Sequence, residues 1–185
     1  WFQWAPPDYT GAKAGMDYAM EKNPEGKRWY RLTADYAFGW TLEELEDQFA
    51  EEHGIEWVGS SRHVLGEREF SRYMGEILAA QPDVLVINNF GLDTAQAIRE
   101  AVAYGLNQTT QILVPWGSGI EDYLRLDPSI TQGIIIGSAF YYTAEPAQEF
   151  SAKYIERYGE PPGYPAGSGY GALEILLNGI ERAGS

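Results

Sequence analysis

The residue types that usually carry chemistry are few in this chain and poorly placed for it. His53 falls at a predicted helix end and His63 in a predicted loop; they are not spaced as i and i+4, and no acidic ligand set lies near either. No metal site is therefore expected. The triplets Gly117-Ser118-Gly119 and Gly167-Ser168-Gly169 fall short of the G-x-S-x-G nucleophile elbow, because Trp116 and Ala166 stand where its first glycine belongs. No glycine-rich dinucleotide or phosphate loop follows a strand. Asp35, at a predicted strand end, would suit a phosphoacceptor only with an acidic magnesium cluster at a neighbouring strand end, and there is none. Glu43, Glu44, Glu46 and Asp47 spread over a helix in the manner of a solvated face. The sequence offers no catalytic set and calls for no cofactor.

What it does offer is aromatic residues at the ends of strands. The pattern predicts strands at 28–33, 55–59, 84–87, 111–114 and 133–137, alternating with helices at 9–20, 41–53, 69–80, 93–104 and 120–126. Thr41 with Glu44 reads as a capping box, Asp93 or Thr94 as the cap of a later helix, and Gly11 and Gly15 as close-packing positions. This alternation calls for a parallel sheet with helices on both faces, a three-layer α/β fold. Residues 1–4 read as a further short strand-like piece before Pro6 and Pro7. After Ala139 the rhythm breaks: 140–143 is an extended aromatic link, and two helices, 146–158 and 166–182, follow without strands between them. Helices of that kind need a sheet to cover, so they are expected to belong to another lobe mostly outside this sequence.

In an open parallel sheet, ligands bind beyond the carboxyl ends of the strands. The loops there are 34–40, 60–68, 88–93 and 115–119. Tyr36, Phe38 and Trp40 sit in the first, Phe90 in the third and Trp116 in the fourth, all exposed by expectation and beside small or polar residues. The helix N-termini that follow have free N–H groups suited to a carboxylate. The combination predicts a cleft for a small organic molecule with a flat apolar part. Asp35 is either a ligand contact or the residue that bonds its own turn; Asn88 and Asn89 carry the same ambiguity. Any one of these aromatics, taken singly, could equally be packed under its loop.

Composition narrows the class. With 185 residues the chain suits one well-packed domain. Its formal net charge of −14 and scattered basic residues argue against a nucleic-acid partner. No apolar run approaches the ~18 residues of a bilayer span, so no direct membrane insertion is expected. The absence of cysteine excludes disulfides and thiolate chemistry and leaves the redox compartment open. Residues 1–11 lack a basic start followed by an apolar stretch, so no signal peptide is expected within them.

Taken together, the run 32–39 (LTADYAFG), the segment QPDVLV at 81–86 followed by 88–93, Tyr104-Gly105-Leu106, and the tail 158–162 (YGEPP) with Tyr170-Gly171-Ala172 resemble the type I solute-binding proteins of ABC transporters, in the branched-chain amino acid branch. The resemblance runs along essentially the whole chain, each motif being loose and their order specific. It implies a flavodoxin-like lobe at 9–139, entered by a crossover at 1–8, with a second crossover and two helices at 140–185 that return to a first lobe. It also implies a periplasmic or extracellular protein, associated with the membrane through a permease partner, that binds a small-molecule ligand without reacting with it.

Carried over by position, the resemblance makes Phe38 and Phe90 ligand contacts, with Tyr36, Asp35 and Tyr142 as further candidates. Trp116 matches a position at which amino-acid-binding members hold an acid for the ligand's ammonium. An indole cannot neutralise that charge, so the expected ligand is an aromatic or otherwise apolar carboxylate rather than an aliphatic amino acid. A sensory or regulatory module on the same fold is the alternative reading, and an enzyme on a flavodoxin-like scaffold a weaker one.

Overall fold

The computed structural model describes residues 8–124 and 126–184; the strand-like piece at 1–4 and the prolines after it lie outside the described residues. Five strands, β1 (Arg28–Ala34), β2 (Glu56–His63), β3 (Val84–Asn88), β4 (Gln111–Val114) and β5 (Ile135–Ile136), pair in parallel in the order β2-β1-β3-β4-β5. The helices are α1 (Asp8–Lys22), α2 (Ala37–His53), α3 (Ser71–Ala80), α4 (Leu92–Ala103), α5 (Ile120–Leu124), α6 (Pro128–Thr131), α7 (Gln148–Tyr158) and α8 (Tyr164–Ala183).

Strand alternation sorts the core into two layers. Trp29, Val84, Val86 and Leu113 point to one face, where α1 and α2 bring Ala12, Met16, Leu42 and Phe49. Tyr30, Leu32, Leu85, Ile87 and Ile112 point to the other, against Tyr73, Met74, Ile77, Ile98 and Ala101 of α3 and α4. The central β3 is buried along its whole length because helices cover both of its sides.

Several boundaries differ from the sequence expectation. The second helix starts at Ala37, and Thr41 spends its hydroxyl on the carbonyl of Ala37 one turn back, so no capping box forms. The second strand continues through Ser60 to His63, because β1 pairs with it as far as Ala34. The cap of α4 is Gly91, whose φ of 63° and ψ of −131° suit glycine alone, while Asp93 and Thr94 lie inside the helix and are buried. The last strand is only two residues long, α6 is an additional short helix, and the link at 140–143 contains a turn in which the Ala144 N–H donates to Tyr141.

Glu43 and Glu46 overturn the expectation of a solvated carboxylate face: both are buried. Their side of α2 lies over the edge of the sheet, where Arg31 of β1 and Arg62 of β2 project. Arg62 pairs with Glu43; Arg31 donates to Asp47 at 2.7 Å and to the main-chain carbonyl of Glu43, and lies over the Trp57 ring. Asn88, at the end of β3, donates to Glu46 at 3.0 Å and to Thr33. Glu43 thus lies between two arginines, as a buried charge requires, while Glu46 is met by an amide.

Helices α7 and α8 hold each other through the stacked rings of Phe150 and Tyr170, 4.5 Å apart. They meet the sheet region where Tyr164 packs edge-on against Trp116 and where the Phe140 ring fills the space a side chain at Gly167 would need. In all of α8 no residue is buried, and Leu173, Leu176, Leu177 and Ile180, spaced as one helical stripe, are exposed.

Candidate functional site

The strand order places its topological switch point between β1 and β3, since the chain leaves β1 outward to β2 and then crosses back to β3 on the other side. Phe38, in the first turn of α2, and Phe90, in the loop after β3, meet there edge to face with ring centroids 5.7 Å apart. Tyr36 lies against Phe38 at 5.9 Å. Phe90 is 41% exposed, and Tyr36 and Phe38 are half-buried, so the three rings form one wall with a face open to solvent.

The other candidates lie elsewhere. Trp116 is buried, contrary to the exposed position expected for it: α1 crosses so closely that a side chain at Gly11 would occupy the indole's place, and Tyr164 closes the edge. The indole therefore backs the sheet end. Tyr142 pairs with Tyr141 in the link, 5.3 Å between rings, and makes no ring contact with the Phe38 group. Asp35 accepts from the indole N–H of Trp40 at 2.9 Å and lies 3.7 Å from Arg62, while its main-chain N–H donates to the carbonyl of His63. It fastens its own corner to the end of β2.

The loop that carries Phe90 is held from three directions. Asn89 is buried, with its side chain bonded to His63 at 2.8 Å and to the carbonyl of Asp93. Asp93 accepts from the N–H of Gly66 at 2.7 Å. The N–H of Gly91 donates to the Ser118 hydroxyl, which itself donates to Asp122. Ser118 thus serves as a tie between two corners. Its partners are an amide and a carboxylate, and no imidazole bonds to it. Sequence reasoning considered this serine only as a nucleophile; its place beside Phe90 depends on the pairing of β3 with β4, which no local signal announces.

At the N-terminus of α2, Tyr36 is the cap residue without a side-chain capping bond, and the first turn carries no acid. That turn holds Phe38 and lies at the same corner. A flat apolar group against Phe38 and Phe90, with an anionic group over this turn, is the arrangement these parts can bind. Among the described residues no cluster of His, Asp or Glu is placed to hold a metal, and no helix is long and apolar enough to cross a membrane.

The parallel lobe is flavodoxin-like, with the three rings at its switch point. The chain matches the periplasmic binding protein family over residues 1–185 and belongs to it. It is similar to the amino acid ABC transporter substrate-binding protein from Pseudomonas fluorescens Pf-5, with a TM-score of 0.94 and 35% identity, covering 100% of this chain and 50% of that one. It is also similar to the Leu/Ile/Val-binding protein homolog 3 of Brucella melitensis, 24% identical over 96% of this chain and 48% of the relative. A solute-binding protein of an ABC transporter from R. palustris, in complex with benzoate, shares the fold at a TM-score of 0.82 and 19% identity, over 99% of this chain and 50% of that one. The chain spans about half the length of these relatives. These relatives are solute-binding proteins, not enzymes.

Proposed function

We propose that the chain supplies one wall of the ligand cleft in an extracytoplasmic substrate-binding component of an ABC transporter, and that its ligand is an aromatic or otherwise apolar carboxylate passed on to a membrane permease. The observation that carries this reading is the edge-to-face pair Phe38–Phe90 at the switch point, next to a helix N-terminus without a side-chain cap. The ring of such a ligand would lie on the aromatic wall and its carboxylate over the first turn of α2. An ammonium group finds less: residue 116 is a buried indole, and Asp35 is engaged with Trp40 and Arg62. A solute-binding protein of the same fold, from R. palustris, was solved in complex with benzoate, which supports this reading. The exposed stripe of α8 supports the further proposal that 140–185 packs against a second lobe, for which the length of the relatives leaves room.

Calorimetry on the complete gene product containing this chain tests the reading, with benzoate, leucine and valine as probes. Benzoate is expected to bind and the two amino acids are not. Phe38→Ala and Phe90→Ala are each expected to weaken benzoate binding by about 10-fold to 100-fold, the loss of a stacked ring contact and its buried area. Tight leucine binding, or benzoate binding indifferent to both substitutions, would overturn it.

A further inference from the structure

A second concavity lies at the ends of β4 and β5, on the side of the link to α7. It is a cavity of about 210 Å³, partly open, walled by Gly117, Ile120, Tyr123, Ile136, Phe140 and Tyr141. None of the three rings of the switch-point wall lines it. Apart from the phenol of Tyr123, the polar groups named here are already engaged. The N–H of Gly117 donates to the carbonyl of Gly137 at 2.7 Å, and the hydroxyl of Ser138 donates to the carbonyl of Phe140 at 2.9 Å. The phenol oxygen of Tyr123 is buried beside Ser118 without a well-formed hydrogen bond.

A water molecule needs two to four polar partners to remain in such a place, whereas an apolar cavity of about 150 Å³ stays dry and takes up benzene. At Gly117 the wall is already in contact with β5: its N–H is bonded to the carbonyl of Gly137, and a side chain there would collide with Ile136. Phe140 is fixed from behind by Gly167 and by Phe150, whose ring lies 6.2 Å away. Tyr141, 57% exposed and beside the ring of Tyr142, is the most open wall.

From these features we infer that the cavity is a second ligand subsite, distinct from the Phe38–Phe90 wall, that takes an uncharged flat ring of benzene size and braces the aromatic link against the end of the sheet. Gly117 and Gly119 flank Ser118, whose hydroxyl accepts from Gly91 next to Phe90. The subsite does not depend on the carboxylate proposed above.

The test is amide correlation NMR of the complete gene product containing this chain, titrated with benzene and, separately, with benzoate. Benzene is expected to give saturable shifts at the amides of Gly117, Gly119, Ile120 and Tyr141, with intermolecular NOEs to Tyr123 and Ile136. Ile120→Trp, which fills the space from one wall, is expected to abolish them while Tyr123→Phe keeps them. Absence of saturable shifts up to the solubility of benzene, or shifts and NOEs confined to Phe38 and Phe90, would overturn the inference. The NOEs in the unsubstituted chain decide the matter even if Ile120→Trp does not fold. Benzoate shifts at Phe38 and Phe90 without benzene at Gly117 would sink the subsite and leave the cleft reading intact.

Discussion

Glu46→Gln is expected to raise the stability of the chain above neutral pH and to flatten its pH dependence. Glu46 is fully buried, and burial pushes its carboxyl up to about 8; the amide of Asn88 and the charge of Arg31 oppose the rise, and Glu43 and Asp47 add to it. Oε1 of Glu46 and Oδ1 of Asn88 both lack partners. A proton on Glu46 removes the charge that burial penalises. The sign follows from linkage. Below the unfolded value of 4.5 both states hold the proton. From there to about 8 the unfolded chain releases it while the folded chain keeps it, so stability falls as pH rises, by up to about 1.4 kcal/mol per unit. The full penalty, on the order of 2 to 5 kcal/mol, is reached above that window. An introduced amide keeps the acceptor for Asn88 and carries no titrating proton. Urea midpoints at pH 6, 7, 8 and 9 should therefore fall for the original chain and stay level for the variant; parallel slopes would refute the assignment.

The second large effect is expected at Gly137. Its N–H donates to Val114 at 2.8 Å and its carbonyl accepts from Gly117, so the residue is pinned to the end of β4 on both sides. A side chain there would run into the carbonyl oxygens of Pro115 and Gly11, which are main-chain atoms with nowhere to retreat. Gly137→Ala should cost about 2 to 4 kcal/mol, the upper range of an overpacked site, and lower the melting temperature by roughly 5 to 12 °C. Gly179→Ala, in α8 with nothing near the added methyl, is the control and should be neutral or slightly stabilising. Equal melting temperatures for the two variants would show that the crossing of α1 over Pro115 is looser than described.

The parts of the fold legible in the sequence are those governed by period. The continuous apolar run at 84–87 and the alternation in 28–33 are local properties, and the structure has strands over both. The aromatic corner was legible for a similar reason: Phe38 and Phe90 follow strands, and parallel pairing brings strand ends together. Glu43 and Glu46 were misread because a helix pattern shows only its own face: the arginines beside Glu43 come from β1 and β2, 12 and 19 residues away in sequence, and the amide that meets Glu46 comes from Asn88 on β3. Trp116 was misread because its cover, Gly11, lies about a hundred positions earlier and is recognisable only as the absence of a side chain. The start of α2 was placed late because Ala37-Phe38-Gly39-Trp40 has weak helix propensity, and burial of Phe38 and Gly39 against β1 outweighs it.

The exposed stripe of α8 has a consequence for cooperativity. A segment of 20 residues without a buried side chain contributes little to the free energy that protects the sheet. Amide hydrogens of Leu173 to Ile180 are set to exchange through local opening, long before those of Val84 to Asn88, which exchange only when both faces of the lobe come apart. Exchange is thus expected to separate a slow sheet from a faster α8 that touches it through Phe140 and Tyr164, and anything that covers α8 is expected to register first as a slowing of its exchange.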